Sequence, residues 1–173
     1  DIEPGWSRTI NMMQYVTLRN FEGMNDQSER YIFGSIDQKI YSISFRADYN
    51  ITPDLSIQYW GQPFFGAGDY SEFKRITDPV AADLDGRYEL LDGGMVSYAI
   101  KDKVYSIDEN LDKAPDYNFD NPDFTVSEFL HNLVVRWEFL PGSTAYLVWS
   151  QTREYSTGTG VFDTGSQAAS LFG

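Results

Sequence analysis

The chain has no cysteine, which excludes a disulfide framework and a thiolate metal site. It has a single histidine, His131, with no cysteine or serine elbow to complete a triad or a zinc site. No run of eighteen apolar residues occurs, so no transmembrane helix is encoded. A β-barrel stays open on that ground, because its strands are short and only half apolar. Basic residues are scarce, 13 Lys and Arg against 26 Asp and Glu, for a formal net charge of -13. Such a surface repels phosphate backbones, and nucleic acid is not an expected partner. No N-terminal stretch has the basic, apolar and small-residue order of a signal peptide. The first residue is Asp1, and a processed product or fragment is the expectation.

Aromatic residues are plentiful, with 12 Tyr and 4 Trp. They suit strands, interfacial belts or sugar-stacking surfaces, and composition alone does not choose. Alternation is more informative. Between Tyr41 and Ile51 the odd positions read Tyr41, Ile43, Phe45, Ala47, Tyr49, Ile51, and the even ones Ser42, Ser44, Arg46, Asp48, Asn50. A period of two over this length means a strand with one apolar and one wet face. Thr52-Pro53-Asp54 breaks it, and Leu55, Ile57 and Tyr59 resume it against Ser56 and Gln58, which predicts a hairpin. Phe129, Leu133, Val135, Trp137 and Phe139 share a second apolar face, opposed by Glu128, Asn132, Arg136 and Glu138, with Leu130 and Val134 as exceptions. Leu140-Pro141-Gly142-Ser143 has proline and glycine placed for a type II turn. A return strand over Thr144–Glu154 follows, its faces unassigned because Ala145, Leu147 and Trp149 oppose Tyr146 and Val148. A fifth strand covers Arg8–Leu18, with Ile10, Met12, Val16 and Leu18 on one face.

Two connections are tight turns. Long ones are expected over Arg19–Gln38, Gly66–Val126 and the tail after Tyr155. Short turns on one side and long loops on the other are the layout of an outer-membrane barrel. Eleven tilted residues cover roughly 25 Å, the apolar band of such barrels. The competing fold is a soluble β-sandwich or lipocalin-like barrel, because alternation does not tell an inward apolar face from an outward one. Arg46, Asp48, Arg136 and Glu138 at mid-strand favour a wet lumen. Tyr41, Tyr49, Trp60, Trp137 and Trp149 are placed for an aromatic girdle. Five strands do not close a membrane barrel, which needs about eight, so a partial barrel completed by further strands is the expectation.

Several motifs in order resemble a family. Tyr31-Ile32-Phe33-Gly34-Ser35-Ile36-Asp37-Gln38 resembles its Tyr-Val-Phe-x-x-Leu-Asp-Gln motif, and Asn50–Gln58 its hairpin. Gln62-Pro63-Phe64, Gly68-Asp69-Tyr70-Ser71 and Phe73-Lys74 resemble its next segment. Asn132–Glu138, Pro141-Gly142-Ser143-Thr144 and Leu147-Val148-Trp149 resemble its C-terminal hairpin. The family is a set of Gram-negative surface proteins with an N-terminal carbohydrate-binding-like module and a C-terminal outer-membrane barrel. The resemblance covers most of Arg30–Lys74 and Pro122–Arg153 and matches Asp78–Asp120 poorly. It implies the C-terminal part of the barrel. The carbohydrate-binding-like module lies outside this chain, so no residue here inherits its sugar site. Family members continue into one more apolar strand after the region of Phe172.

Candidate chemistry is sparse. The segment Gly66–Val126 holds fourteen Asp and Glu against six Lys and Arg. Its apolar runs Arg87–Leu91, Met95–Ile100 and Val104–Ile107, with a hairpin-like break at Asp92-Gly93-Gly94, predict a folded insertion that caps the barrel. Asp116-Tyr117-Asn118-Phe119-Asp120-Asn121 alternates oxygen ligands like the opening of a calcium loop, without the glycine and glutamate such a loop wants. A run of Asx-turns in a Pro-rich loop is the plainer reading. Carboxylate pairs such as Asp83 with Asp85, or Asp108 with Glu109, suit glycoside hydrolysis only at about 5–10 Å across a sugar; a solvated acidic face is the plainer reading. His131 lies on the apolar parity of its strand, a structural position. Gly66-Ala67-Gly68 and Gly158-Thr159-Gly160 read as flexible loop, without the context of a phosphate cradle. Trp60, Phe64, Phe65 and Tyr70 suit girdle and loop core ahead of sugar stacking.

The expectation is an all-β, antiparallel, transmembrane-type barrel portion over residues 1–173, with 66–126 as a folded loop insertion, in the cell outer membrane. It serves as anchor, pore or surface-complex component. Partners are outer-membrane lipid, other outer-membrane proteins or the remainder of its own barrel, and glycan only through a module outside the chain. No catalytic activity, catalytic residue, cofactor or metal is expected. The alternatives are a soluble β-rich binding module, or a hydrolase with its site in the acidic loop 66–126.

Overall fold

The computed structural model describes residues 1–23 and 26–172, with the side chains of 22, 23, 26–28, 164, 170 and 172 excepted. The protein is all-β with antiparallel sheets. Five long strands, β1 (Ile2–Gly23), β2 (Asp26–Thr52), β3 (Leu55–Ile76), β8 (Phe124–Leu140) and β9 (Ser143–Thr157), follow the order β1-β2-β3-β8-β9. Between β3 and β8 lie β4 (Tyr88–Leu90), β5 (Val96–Ala99), β6 (Val104–Ile107) and β7 (Tyr117–Asp120), and a helix, α1 (Thr164–Phe172), ends the described chain. β4 pairs with β3, and β5-β6-β7 form a separate sheet. The described strands close no barrel: β1 and β9 are edges. The chain divides into two compact units, one of residues 1–8, 38–67 and 124–173, the other of 9–37 and 68–123.

The first unit is built on alternation. Pro53-Asp54 and Pro141-Gly142 are its tight turns, and Gly142 has the φ of +79° that position i+2 of a type II turn requires. The turns lie side by side, with Glu138 N–H donating to the Asp54 carbonyl at 2.7 Å. Register resolves the faces of β9. Leu133 pairs with Trp149, Val135 with Leu147 and Trp137 with Ala145, so the odd positions of both strands make one apolar surface. Phe45 stacks on Tyr59, and Tyr59 meets His131, which joins the odd positions of β2 and β3 to it. The same surface carries α1. Asp163 caps the helix by accepting Gly165 N–H through its side chain, Leu171 is buried, and Arg153 donates to the Leu171 carbonyl at 2.8 Å. That helix occupies part of the long segment expected after Tyr155.

The second unit has two apolar layers facing each other. Ile32 and Phe73 from β2 and β3 pack with Leu91, Ile107, Tyr117 and Phe119. Phe73, Tyr105 and Phe119 meet ring to ring, with centroids 4.6 to 5.4 Å apart.

Three expectations need correction. Arg19–Gln38 is no long loop: β1 runs to Gly23 and β2 starts at Asp26, with residues 24–25 outside those described. Gly34, Ser35 and Ile36 are buried in succession, so both faces are covered and no alternation marks the strand. Gly66-Ala67-Gly68 is likewise a buried part of β3, not a flexible loop. A side chain at Gly66 would sit 3.2 Å from Val126 Cγ1. Third, Asp92-Gly93-Gly94 is a turn, closed by Met95 N–H on the Asp92 carbonyl at 2.9 Å. It joins strands of different sheets; the hairpin is β5–β6, with Ala99 opposite Val104.

Candidate functional site

The polar surface of the first unit centres on Trp60. Alternation puts Trp60 on the parity of Gln58, away from Tyr59 and the apolar side. Three adjoining hollows share it. One of ≈ 380 Å³ is lined by Arg46, Asp48, Gln58, Trp60, Asn132 and Val134, with Tyr59 at its margin. A second of ≈ 240 Å³ is lined by Asp1, Glu3, Ser44, Arg46 and Trp60. The third, of ≈ 260 Å³, is lined by Leu130, His131, Asn132, Ser150, Gln151 and Thr152 beside Trp60. The Ser150 hydroxyl donates to Asn132 Oδ1 at 3.2 Å, which turns the Asn132 amide toward a fixed direction. Trp60 therefore does not share the surface of Tyr41, Tyr49, Trp137 and Trp149, as a single girdle would require.

The apolar surface is extensive. Trp6, Ile43, Trp137, Leu147 and Trp149 are 65%, 45%, 53%, 65% and 54% exposed. Tyr41 and Tyr49 bracket Ile43, Phe45 and Ala47, about 26 Å apart along the strand. At one end Pro4, Trp6, Tyr41, Ile43, Phe65 and Phe162 line a groove of ≈ 520 Å³. His131 is buried among Phe129, Tyr59 and Trp149 rings. Its Nε2 meets Gln151 Oε1 at 3.1 Å, and its Nδ1 has no hydrogen-bond partner among the described residues. That arrangement locks a ring in place and offers no reacting partner.

The second unit holds a buried charge cluster that no sequence pattern announced. Glu109, 6% exposed, pairs with Arg30 at 3.3 Å and with Arg75, and accepts the Tyr117 hydroxyl at 2.7 Å. Arg75 also pairs with Glu89 at 2.6 Å. Burial pulls the Arg75 guanidinium down, and the Glu89 hydrogen bond with the Glu109 and Glu89 charges more than offsets it. Burial, then the Glu109 hydrogen bond and charge, pushes the Tyr117 phenol far above its ordinary value. Nearby, the Lys74 ammonium is buried and donates to the Met12 carbonyl and to Ser35 Oγ, both at 2.9 Å. Each charge faces a protein partner, so the cluster rigidifies the unit.

The other sequence candidates separate. Asp116–Asn121 is mostly strand β7: Tyr117 and Phe119 point into the core and Asn118 and Asp120 outward. Its alternation is that of a strand, not of a calcium loop. Only Asn121 makes an Asx-turn there, accepting Asp123 N–H. The Asp108 carboxylate accepts backbone N–H groups of Asp112 and Lys113, whereas Glu109 turns to the arginines, so these neighbours share no cleft and Glu109 is no solvated surface acid. Asp83 precedes an exposed 3-10 turn, Leu84–Gly86, and Asp85 lies within it. Among the described residues no group of His, Asp and Glu is placed to hold a metal ion. Phe64 lies against Gly66, Phe65 lines the apolar groove, and Tyr70 packs on the core of the second unit. Sequence reasoning missed the polar role of Trp60, although its parity with Gln58 was readable.

Comparison with known proteins yields nothing: no family model, no curated protein and no solved structure matches the chain.

Proposed function

We propose that the first unit is a section of an outer-membrane β-barrel, serving as anchor, pore or surface-complex component, with the surface of Trp6, Ile43, Trp137, Leu147 and Trp149 toward hydrocarbon and its Trp60 surface toward water. The supporting observation is the separation of the two surfaces. Three of the four tryptophans lie exposed with Ile43 and Leu147 on one side, while Arg46, Asp48, Gln58 and Asn132 gather around the fourth on the other. An apolar area of this extent in water invites association, whereas a barrel wall requires it. The strand edges β1 and β9 carry backbone groups that lipid would leave unsatisfied. Further strands, from the remainder of the barrel or from another outer-membrane protein, fit those edges. The resemblance noted in the sequence agrees with this reading.

A soluble β-rich binding module is the second reading, favoured by α1, which covers part of the apolar surface and buries Leu171. Single-tryptophan variants separate the two. Each is refolded with vesicles whose acyl chains carry bromine, a quencher. Trp6, Trp137 and Trp149 are expected to lose fluorescence to the lipid, and Trp60 to aqueous acrylamide. A chain that folds without detergent or lipid, with Trp149 equally open to acrylamide in both conditions, ends the membrane proposal.

A further inference from the structure

We propose that the hollows around Trp60 bind an oligosaccharide without net charge. The lining decides the ligand class. Gln58 and Asn132 each offer both donors and acceptors at a planar amide, which matches neighbouring hydroxyl groups. Arg46 is balanced by Asp48 in the same ≈ 380 Å³ hollow, and the adjoining hollow adds Glu3 and Asp1, whose ammonium is held on the Arg46 carbonyl, and no further Lys or Arg. The site is therefore a poor cradle for phosphate or sulfate, and the -13 charge of the chain opposes any polyanion. An indole set among such groups supplies an apolar face beside polar edges, and a sugar ring presents the complementary pair, C–H bonds on one face and hydroxyls at the rim. Because hollows continue on either side of Trp60, toward Ser44 and toward Ser150, the ligand spans more than one ring. The proposal holds whichever solvent meets the opposite surface of the sheet.

The test uses the full chain with Trp6, Trp137 and Trp149 changed to Phe, which leaves Trp60 as the only indole. Maltohexaose, cellohexaose and chitohexaose are titrated in turn, with glucose and inorganic phosphate as controls. A saturable change in Trp60 emission with at least one hexasaccharide, weaker with glucose and absent with phosphate, is expected. In the chain with all tryptophans, Trp60→Ala weakens binding about tenfold or more by calorimetry, and Trp60→Phe less. Gln58→Ala, on the surface of the same hollow, guards against a folding defect in the Trp60 variants and is expected to weaken binding with an unaltered circular dichroism spectrum. Emission that stays flat with all three hexasaccharides overturns the proposal, as does a saturable response to phosphate alone.

Discussion

Strands β1, β2 and β3 contribute residues to both compact units, and the two halves treat their apolar side chains oppositely. In the first unit Ile43, Trp137 and Leu147 stay about half exposed or more, and burial is limited to the aromatic cluster around His131, the patch beneath α1 and small residues of β3 such as Gly66 and Ala67. In the second, Ile32, Phe73, Ile107 and Phe119 are buried against facing layers, and even Glu109 and Lys74 are taken out of water with their partners. One sheet thus shows two solutions to the same problem: covering an apolar surface with protein, or leaving it for another medium. The difference teaches where stability resides. The second unit depends on packing and on complete pairing of buried charge, so single side chains matter there. The first depends on what bathes its surface.

Breaking the charge cluster sharpens this contrast most. Glu109→Ala leaves Arg30 and Arg75 at a buried site with one carboxylate fewer and strands the Tyr117 hydroxyl. Removing one partner of a buried pair costs about 3–5 kcal/mol. Urea unfolding, read by proteolysis within residues 84–120, is expected to move by that amount, with Glu109→Gln milder because it keeps an acceptor for Tyr117. An unchanged midpoint would place these arginines effectively in water. The next effect belongs to the other unit. Leu147→Arg puts a charge opposite Val135 on the exposed apolar surface. In a bilayer it costs roughly 2–4 kcal/mol near the midplane, measured by refolding into vesicles. In water the same exposed position tolerates it, and a cost near zero with vesicles present breaks the comparison.

These two halves also explain what the sequence could disclose. Tyr41–Ile51 and Phe129–Phe139 read as strands because one face is apolar and the other polar, and period two survives. Both turns were legible from proline and glycine. The hidden parts are those covered on both sides. Gly34-Ser35-Ile36 and Gly66-Ala67-Gly68 are buried on consecutive positions, so no pattern distinguishes them from loop. β7 was hidden differently, its Asp and Asn residues resembling a ligand run while Tyr117 and Phe119 between them filled a core. Glu109 was one acid among fourteen in its segment, and nothing local marks the acid whose partners, Arg30 and Arg75, lie far off in the chain. Trp60 shows its side by parity with Gln58, whereas its residue type alone suggests a girdle position.

A smaller effect probes how tightly the apolar surface of the first unit is fitted. The Phe45 ring lies over the backbone of Gly61, so a Cβ there would come within 2.5 Å of Phe45 Cζ. Gly61→Ala displaces Phe45 and breaks its stack on Tyr59, whose centroids are 5.6 Å apart. Overpacking of this kind costs about 1–3 kcal/mol, and the lower end is expected because a surface ring can swing outward. In a double-mutant cycle, Phe45→Ala should cancel most of the Gly61→Ala penalty. Independent, additive effects would mean that the ring does not lie where the contact requires.

The smallest effect is electrostatic and belongs to the second unit. The Tyr117 phenol is held neutral in the fold, raised above its ordinary value near 10 by burial and by Glu109. A raised folded value stabilises fully below the unfolded value and loses that contribution as pH climbs past it. With one proton released only on unfolding, stability falls by about 1.4 kcal/mol per pH unit once well above 10. Tyr70 and Tyr105 shift the same way, through burial and then the Asp123 charge, so the total decline does not isolate Tyr117. The difference between the parent chain and Tyr117→Phe does, because the other tyrosines cancel. Below pH 9 that difference is constant and reflects the lost hydrogen bond to Glu109; toward pH 11 it should shrink by roughly 1 kcal/mol. Urea unfolding across this range reads it directly. A difference that holds constant to pH 11 would mean that Tyr117 ionises in the fold as freely as in the unfolded chain, and that the second unit does not exclude water from its charge cluster.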